Sequence, residues 1–196
     1  FPLELLPPEL VVKILEYLSL KELIRMTEVN KYFRGLIRSD IRWDHEIRFQ
    51  PIDIFKHIMT NYNFVRFEYD YDFDDNIMIT SDHFRLLKNP VEVGLYIAGI
   101  SNFHLSFLTG CQIVEIGRNL ITDAGLEYLY NCEELGLSEC KRITGSGFIN
   151  LINCRKLNVY GCSRLIGSNL QYLTNCVDLN LMGCTGLDDD DIKYLT

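Results

Sequence analysis

Six of the seven cysteines form two series with a spacing of 22: Cys132, Cys154 and Cys176, and Cys140, Cys162 and Cys184. A register that returns without drift over three cycles means that the chain is built from copies of one unit. That limits the fold more than length or composition does. Three copies start at Asn131, Asn153 and Asn175 and align without gaps. Two shorter ones start at Asn89 and Gly110, with Ala98 and Asn119 at the second cysteine position. The stretch IMITSDHFRLLK (77–88) matches the back half of a further copy, whose front half is FVRFEY (64–69).

Each copy carries a period-2 apolar pair, such as Leu135/Leu137, Leu157/Val159 and Leu179/Leu181, followed three residues later by Cys or Asn. Period 2 puts both side chains on one face of a short strand. The second half has apolar residues at helical spacing: Leu126 with Leu129, Phe148 with Leu151, Leu170 with Leu173. One strand plus one short helix cannot bury both faces, so stability must come from stacking neighbours. The pattern L-x-L-x-x-[C/N] resembles the leucine-rich repeat, and the leading Cys with the I-T-D/G-x-G-L stretch resembles its cysteine-containing subclass. The resemblance implies an α/β fold: a short right-handed solenoid over 64–196, with a parallel sheet on its concave face. About six repeats start near 64, 89, 110, 131, 153 and 175. The copies are shorter than that subclass usually has, so the outer helices are expected to span one or two turns.

The cysteines read as small buried side chains whose S–H groups meet loop carbonyls. All seven fall on repeat positions, and Asn119 replaces one as a hydrogen-bonding equivalent would. No CxxC pair supports a zinc or redox site, and His45, His57, His83 and His104 share no motif with a nucleophilic thiol. Reduced thiols are expected in the cytoplasm or nucleus. Residues 1–50 hold eight basic and eight acidic side chains, while 51–196 hold 11 and 19, which accounts for the net charge of −8. An acidic array is not a nucleic-acid surface, but it leaves basic protein targets open. No apolar run is long enough to span a bilayer.

LPPELVVKILEYL (6–18) reads as an amphipathic helix: Leu10, Ile14 and Leu18 form a stripe that Val11 and Leu15 widen. Ser19 and Glu22 match a capping box for a second helix, and Asn30 caps a third through Tyr32, Phe33, Leu36 and Ile37. Leu6-Pro7-x-Glu9-Leu10, Ile14-Leu15-x-Tyr17-Leu18, Glu22-Leu23, Val29-Asn30-Lys31-x-Phe33, Leu36 and Trp43 resemble the F-box. Asn30 stands where that family usually has Cys, and Phe33 where it has Trp. The resemblance implies a three-helix domain (1–47) that docks the Skp adaptor of SCF-type cullin–RING ubiquitin ligases, and through it cullin. The adaptor-facing residues it implies are Leu6, Pro7, Glu9, Leu10, Ile14, Leu15, Val29, Lys31 and Phe33. The alternative is a non-ligase binding scaffold or inhibitor whose helices only cap the open end of the stack.

PIDIFKHIMTNY (51–62) reads as a short helix within a junction (48–63), with Ile54 and Ile58 one turn apart. The insertion Asp70–Asp75 lacks the Gly and Glu that a calcium loop needs, so it reads as a solvated loop; Tyr71 and Phe73 are its candidate target anchors. Asp188–Asp191 aligns with the helix start, where carboxylates cap free N–H groups. The strand positions that alternate with the buried pair form three columns. The first is Gly94, Glu115, Gly136, Asn158 and Asn180; the second is Tyr96, Gly117, Ser138, Tyr160 and Met182; the third is Glu92, Ile113, Glu134, Lys156 and Asp178. Candidate target contacts are Tyr96, Glu115, Asn158, Tyr160, Asn180 and Met182, with the exposed aromatics and Met supplying contact area. No phosphate loop, metal spacing or nucleophile–base pair occurs, so the expectation is a non-catalytic substrate receptor without cofactor or metal.

Overall fold

The structure is a computed structural model that describes residues 6–15, 17, 18, 22, 25, 26, 35, 43–48, 56, 59, 64–69, 79–95 and 99–195. Several expectations lie outside these residues: the Ser19 cap, the third helix with Val29, Lys31 and Phe33, most of 51–62, the insertion with Tyr71 and Phe73, and Tyr96. The side chain of Glu9 lies outside them too.

Helix α1 spans Pro8–Leu15 and begins on a proline, which the first helical position tolerates because its N–H would have no partner there. The apolar stripe read from its sequence is divided in the structure. Val11 and Leu15, one turn apart, are fully buried, whereas Leu10 and Ile14 face solvent. Leu15 is therefore a core residue and not part of an adaptor-facing surface: it is enclosed on the inner side of the helix.

Seven described strands form one sheet, parallel throughout and in chain order: β1 (Trp43–Arg48), β2 (Phe64–Tyr69), β3 (Glu92–Leu95), β4 (Ile113–Ile116), β5 (Glu134–Gly136), β6 (Lys156–Asn158) and β7 (Asp178–Asn180). The sheet thus starts earlier than the repeat alignment places it, with Trp43 opposite Phe64. WDHEIR lacks the L-x-L and Cys/Asn signature of the copies, so its strand identity comes only from pairing with β2. Elsewhere the register follows the alignment. Phe67, Val93, Val114, Leu135, Leu157 and Leu179 fall in line across β2–β7 and form the spine of one core, which also takes in Val11, Leu15 and Met59.

Between strands run helices α2 (Ser81–Leu86) and α3 (Asn102–Leu105), then four 3-10 helices: η1 (Asp123–Leu129), η2 (Ser146–Asn150), η3 (Gly167–Tyr172) and η4 (Asp189–Tyr194). The tighter coil explains the three-residue spacing of the apolar pairs, because i and i+3 eclipse at 3.0 residues per turn. Leu126 and Leu129 are both buried for this reason, as are Phe148 with Leu151 and Leu170 with Leu173. In α2 and α3 a histidine ring serves the helix start: Nδ1 of His83 accepts the Thr80 N–H, and Nδ1 of His104 the Ser101 N–H, each at 3.1 Å.

Side chains at repeat positions tie each copy to the one before. Asn131, Asn153 and Asn175 donate Nδ2–H to the carbonyls of Thr109, Tyr130 and Ile152 at 2.8–2.9 Å. The thiols of Cys140, Cys162 and Cys184 donate to the carbonyls of Ile116, Leu137 and Val159 at 3.6, 3.2 and 3.1 Å. Asn119, in place of that cysteine, accepts the Ile100 N–H at 2.8 Å and donates to the Gly117 carbonyl at 2.7 Å. The Asp123 carboxylate accepts the N–H groups of Thr144, Gly145 and Gly147 and the Thr144 hydroxyl, all at 2.9–3.0 Å. Gly147 permits this approach, since a Cβ there would sit 2.4 Å from the Asp123 carbonyl oxygen. Asp123→Ala strands several N–H groups at once and is expected to lower unfolding stability by about 2–4 kcal/mol. A urea titration checks this; a loss below about 0.5 kcal/mol would mean that water satisfies those groups equally well.

Candidate functional site

Because the side-chain period of a strand is two, each residue between the buried ones faces the open side of the sheet. The pairing register puts these residues into the columns that the alignment gives. Arg66, Glu92, Ile113, Glu134, Lys156 and Asp178 form one row and Glu68, Gly94, Glu115, Gly136, Asn158 and Asn180 the next. In a parallel sheet, neighbours in a row stand about 4.8 Å apart, so their charges interact directly. Arg66 pairs with Glu92, and Lys156 Nζ lies 2.7 Å from Glu134 Oε1. The hydrogen bond and charge of Glu134 push the Lys156 pKa up.

Glu115 sits at the centre of this face, between two glycines. Its carboxyl lies over Gly136, where any Cβ would collide with it. Burial, and then the charge of Glu134, hold the Glu115 carboxyl above the ordinary carboxylate range. A hollow of ≈ 280 Å³ beside it is lined by Glu134, Lys156, Asn158, Asp178 and Asn180 among others. A smaller one of ≈ 70 Å³ on the other side is lined by Arg66, Glu68, Glu92 and Gly94. A half-buried carboxylate that repels its neighbour gains from a cation, so this face suits a lysine or arginine side chain of a target.

The other described sequence-derived candidates lie along the same face. Asn158 and Asn180 turn their Oδ1 atoms to the backbone N–H of Tyr160 and Met182, at 3.1 and 3.0 Å. Both asparagines therefore hold the turn after their strand. Tyr160 and Met182 are exposed at the end of these strands, and the backbone ladder continues through them: Glu139 N–H donates to the Tyr160 carbonyl and Gly161 N–H to that of Met182. Together with Glu115 they border one face. Sequence reasoning placed Glu134 and Lys156 in a column without selecting them; the alternation of sign along that column is the signal that was there to read.

Burial disfavours the thiolate form of the cysteines. Burial pushes the thiols of Cys111, Cys154 and Cys162 up to about 12, and the other four are raised for the same first cause. All seven are unpaired. Asp188 caps η4 by accepting the Asp190 N–H at 2.9 Å, and Asp191 accepts the Asp188 N–H at 3.0 Å, so the acidic run serves a helix start. Among the described residues no group of three or more His, Cys, Asp and Glu is placed to hold a metal, and no helix is long and apolar enough to cross a membrane.

A second surface lies on α1. Leu10 is 48% and Ile14 40% exposed, one turn apart on a side next to that of Val11 and Leu15, and Tyr17, just past the helix end, is 92% exposed. Pro7 is exposed next to this stripe, while Leu6 is half-buried and packs on the core. Residues 3–46 match the F-box-like family model. The outward stripe thus belongs to an F-box-like domain that makes up under a quarter of the chain. No curated protein matches the chain as a whole.

The raised Glu115 pKa gives a signed expectation. Its neutral form supports the fold fully below the ordinary value of 4.5, and that support is lost as pH rises through the raised value. Glu115→Gln is expected to raise the thermal midpoint near pH 7, with the gap to wild type closing towards about pH 4. A lower midpoint at neutral pH would show instead that the carboxylate is stabilised where it lies.

Proposed function

We propose that the chain is a non-catalytic substrate-recognition subunit of an SCF-type cullin–RING ubiquitin ligase. The F-box-like domain docks a Skp-type adaptor and, through it, a cullin. The repeats act as a right-handed leucine-rich-repeat solenoid whose concave sheet face holds a protein target. One observation carries this reading: the exposed stripe of Leu10, Ile14 and Tyr17 falls inside the matched residues 3–46. Contiguous apolar side chains on one helix face stay in water at a cost, and a protein partner removes it. Catalysis is then a matter of proximity, with the target held at a fixed distance from a charged conjugating enzyme. The acidic centre around Glu115 and Glu134 supports a basic segment as target. Seven unpaired thiols, all in the later repeats, support a cytoplasmic or nuclear setting.

A second reading has its own support. Val11 and Leu15 belong to the same core as the sheet, as expected of helices that cap the stack in a binding scaffold or inhibitor. Coexpression with a Skp adaptor separates the two. The ligase reading expects a one-to-one complex that Leu10→Asp with Ile14→Asp abolishes, as does Pro7→Ala with Leu10→Ala, at an unchanged thermal midpoint. A folded chain that never copurifies with the adaptor leaves only the scaffold.

A further inference from the structure

The edge of the array where the strands end carries charge opposite to that of the sheet face. A cleft of ≈ 870 Å³ opens there, lined by Arg118, Glu139, Lys141, Arg142, Ser163 and Arg164 among others. Four cations face one carboxylate in the part of the chain that holds its entire negative excess. Arg118 is engaged by Glu139, with Nε 3.1 Å from Oε1. Lys141, Arg142 and Arg164 are exposed, and no ion pair or hydrogen bond of their side chains occurs among the described residues.

The repeat fixes how these cations are arranged. Arg142 and Arg164 each stand two residues after the second cysteine of their copy, Cys140 and Cys162, so they occupy the same place on adjacent turns. Adjacent turns are about one strand spacing, roughly 4.8 Å, apart. Arg118 comes from the turn before. It and Glu139 hold left-handed backbone, φ 55° and 57°, where the two later copies use Gly161 and Gly183. A side chain there costs roughly 1 kcal/mol that glycine would not, so the turn itself does not call for charged residues. The cations also stop with these three turns, since the last copy has Thr185 and Gly186 in the corresponding positions.

We propose that this cleft docks an acidic peptide segment, bound extended across the three turns with its carboxylates on Arg118, Arg142 and Arg164. Guanidinium groups pair carboxylates in a bidentate fork, which a row of arginines on successive turns can repeat. A nucleic acid fits less well: no aromatic side chain lines the cleft for base stacking, and the acidic sheet face next to it repels a phosphate backbone. The site does not depend on the F-box-like domain, so it can be tested without an adaptor.

The test is fluorescence anisotropy of the full chain with a labelled peptide of clustered Asp and Glu, and separately with a labelled oligothymidine. The expected result is saturable peptide binding that weakens as salt rises. Arg142→Glu with Arg164→Glu should weaken it at least about tenfold, while Lys88→Glu, exposed and outside the cleft lining, leaves it unchanged. Arg142→Gln with Arg164→Gln keeps the test available if the charge-reversed chain does not fold; a loss in the same direction supports the site. Lack of saturation, equal affinity in the doubly substituted chain, or tighter binding of the oligothymidine each overturns the proposal. None of these outcomes bears on adaptor copurification.

Discussion

The hydrogen bonds that each turn makes to the turn before it are the contacts on which everything else rests. A single copy offers one strand of three to six residues and one short helix, too little to bury its own apolar pair. The parallel ladder supplies the backbone part of the contact. The side-chain part comes from the leading Asn, the second Cys and Asp123, all of which satisfy backbone groups of a neighbouring copy. The groups met by the cysteines and by Asp123 are buried or half-buried, and leaving them unpaired would cost more than the bonds themselves contribute. The strand register holds across copies of 21 and of 22 residues, so the one-residue difference is taken up outside the strands.

That register also writes the surface. Because equivalent residues stack at the strand spacing, one substitution per copy becomes a row, and charges in a row either pair or repel. On the sheet face the row Glu134–Lys156 pairs, while Glu115 is left near Glu134 and loses part of its acidity. At the strand ends another row collects Arg142 and Arg164. An overall charge of −8 conceals this separation, since both signs lie within the same six copies. The two surfaces therefore suit partners of opposite charge.

Helix α1 couples the array to the F-box-like domain by having two apolar sides. Val11 and Leu15 contribute to the continuous core, and Leu10 with Ile14 remains outside it. A helix rooted in this way cannot turn without emptying part of the core, so the outward stripe keeps a fixed direction relative to the sheet.

The sequence by itself determined the copies, their order, the apolar pair in each and the burial of most cysteines, because these depend on local period and on contacts made again by each neighbour. It also carried the columns, since a gapless alignment is a register. Three things needed the tertiary structure. Strand β1 has no repeat signature and exists through its pairing with β2. The stripe on α1 had to be divided between core and solvent, and sequence spacing cannot say which half of a wide apolar face meets the sheet. That Asn158 and Asn180 also hold the turn after their strand, with Oδ1 on the N–H two residues on, is a contact the local pattern does not show. In each case the deciding contact joins elements that the local pattern treats as separate. The 22-residue register fixes what repeats along the stack, and only packing decides what happens where the repeat meets something unlike itself.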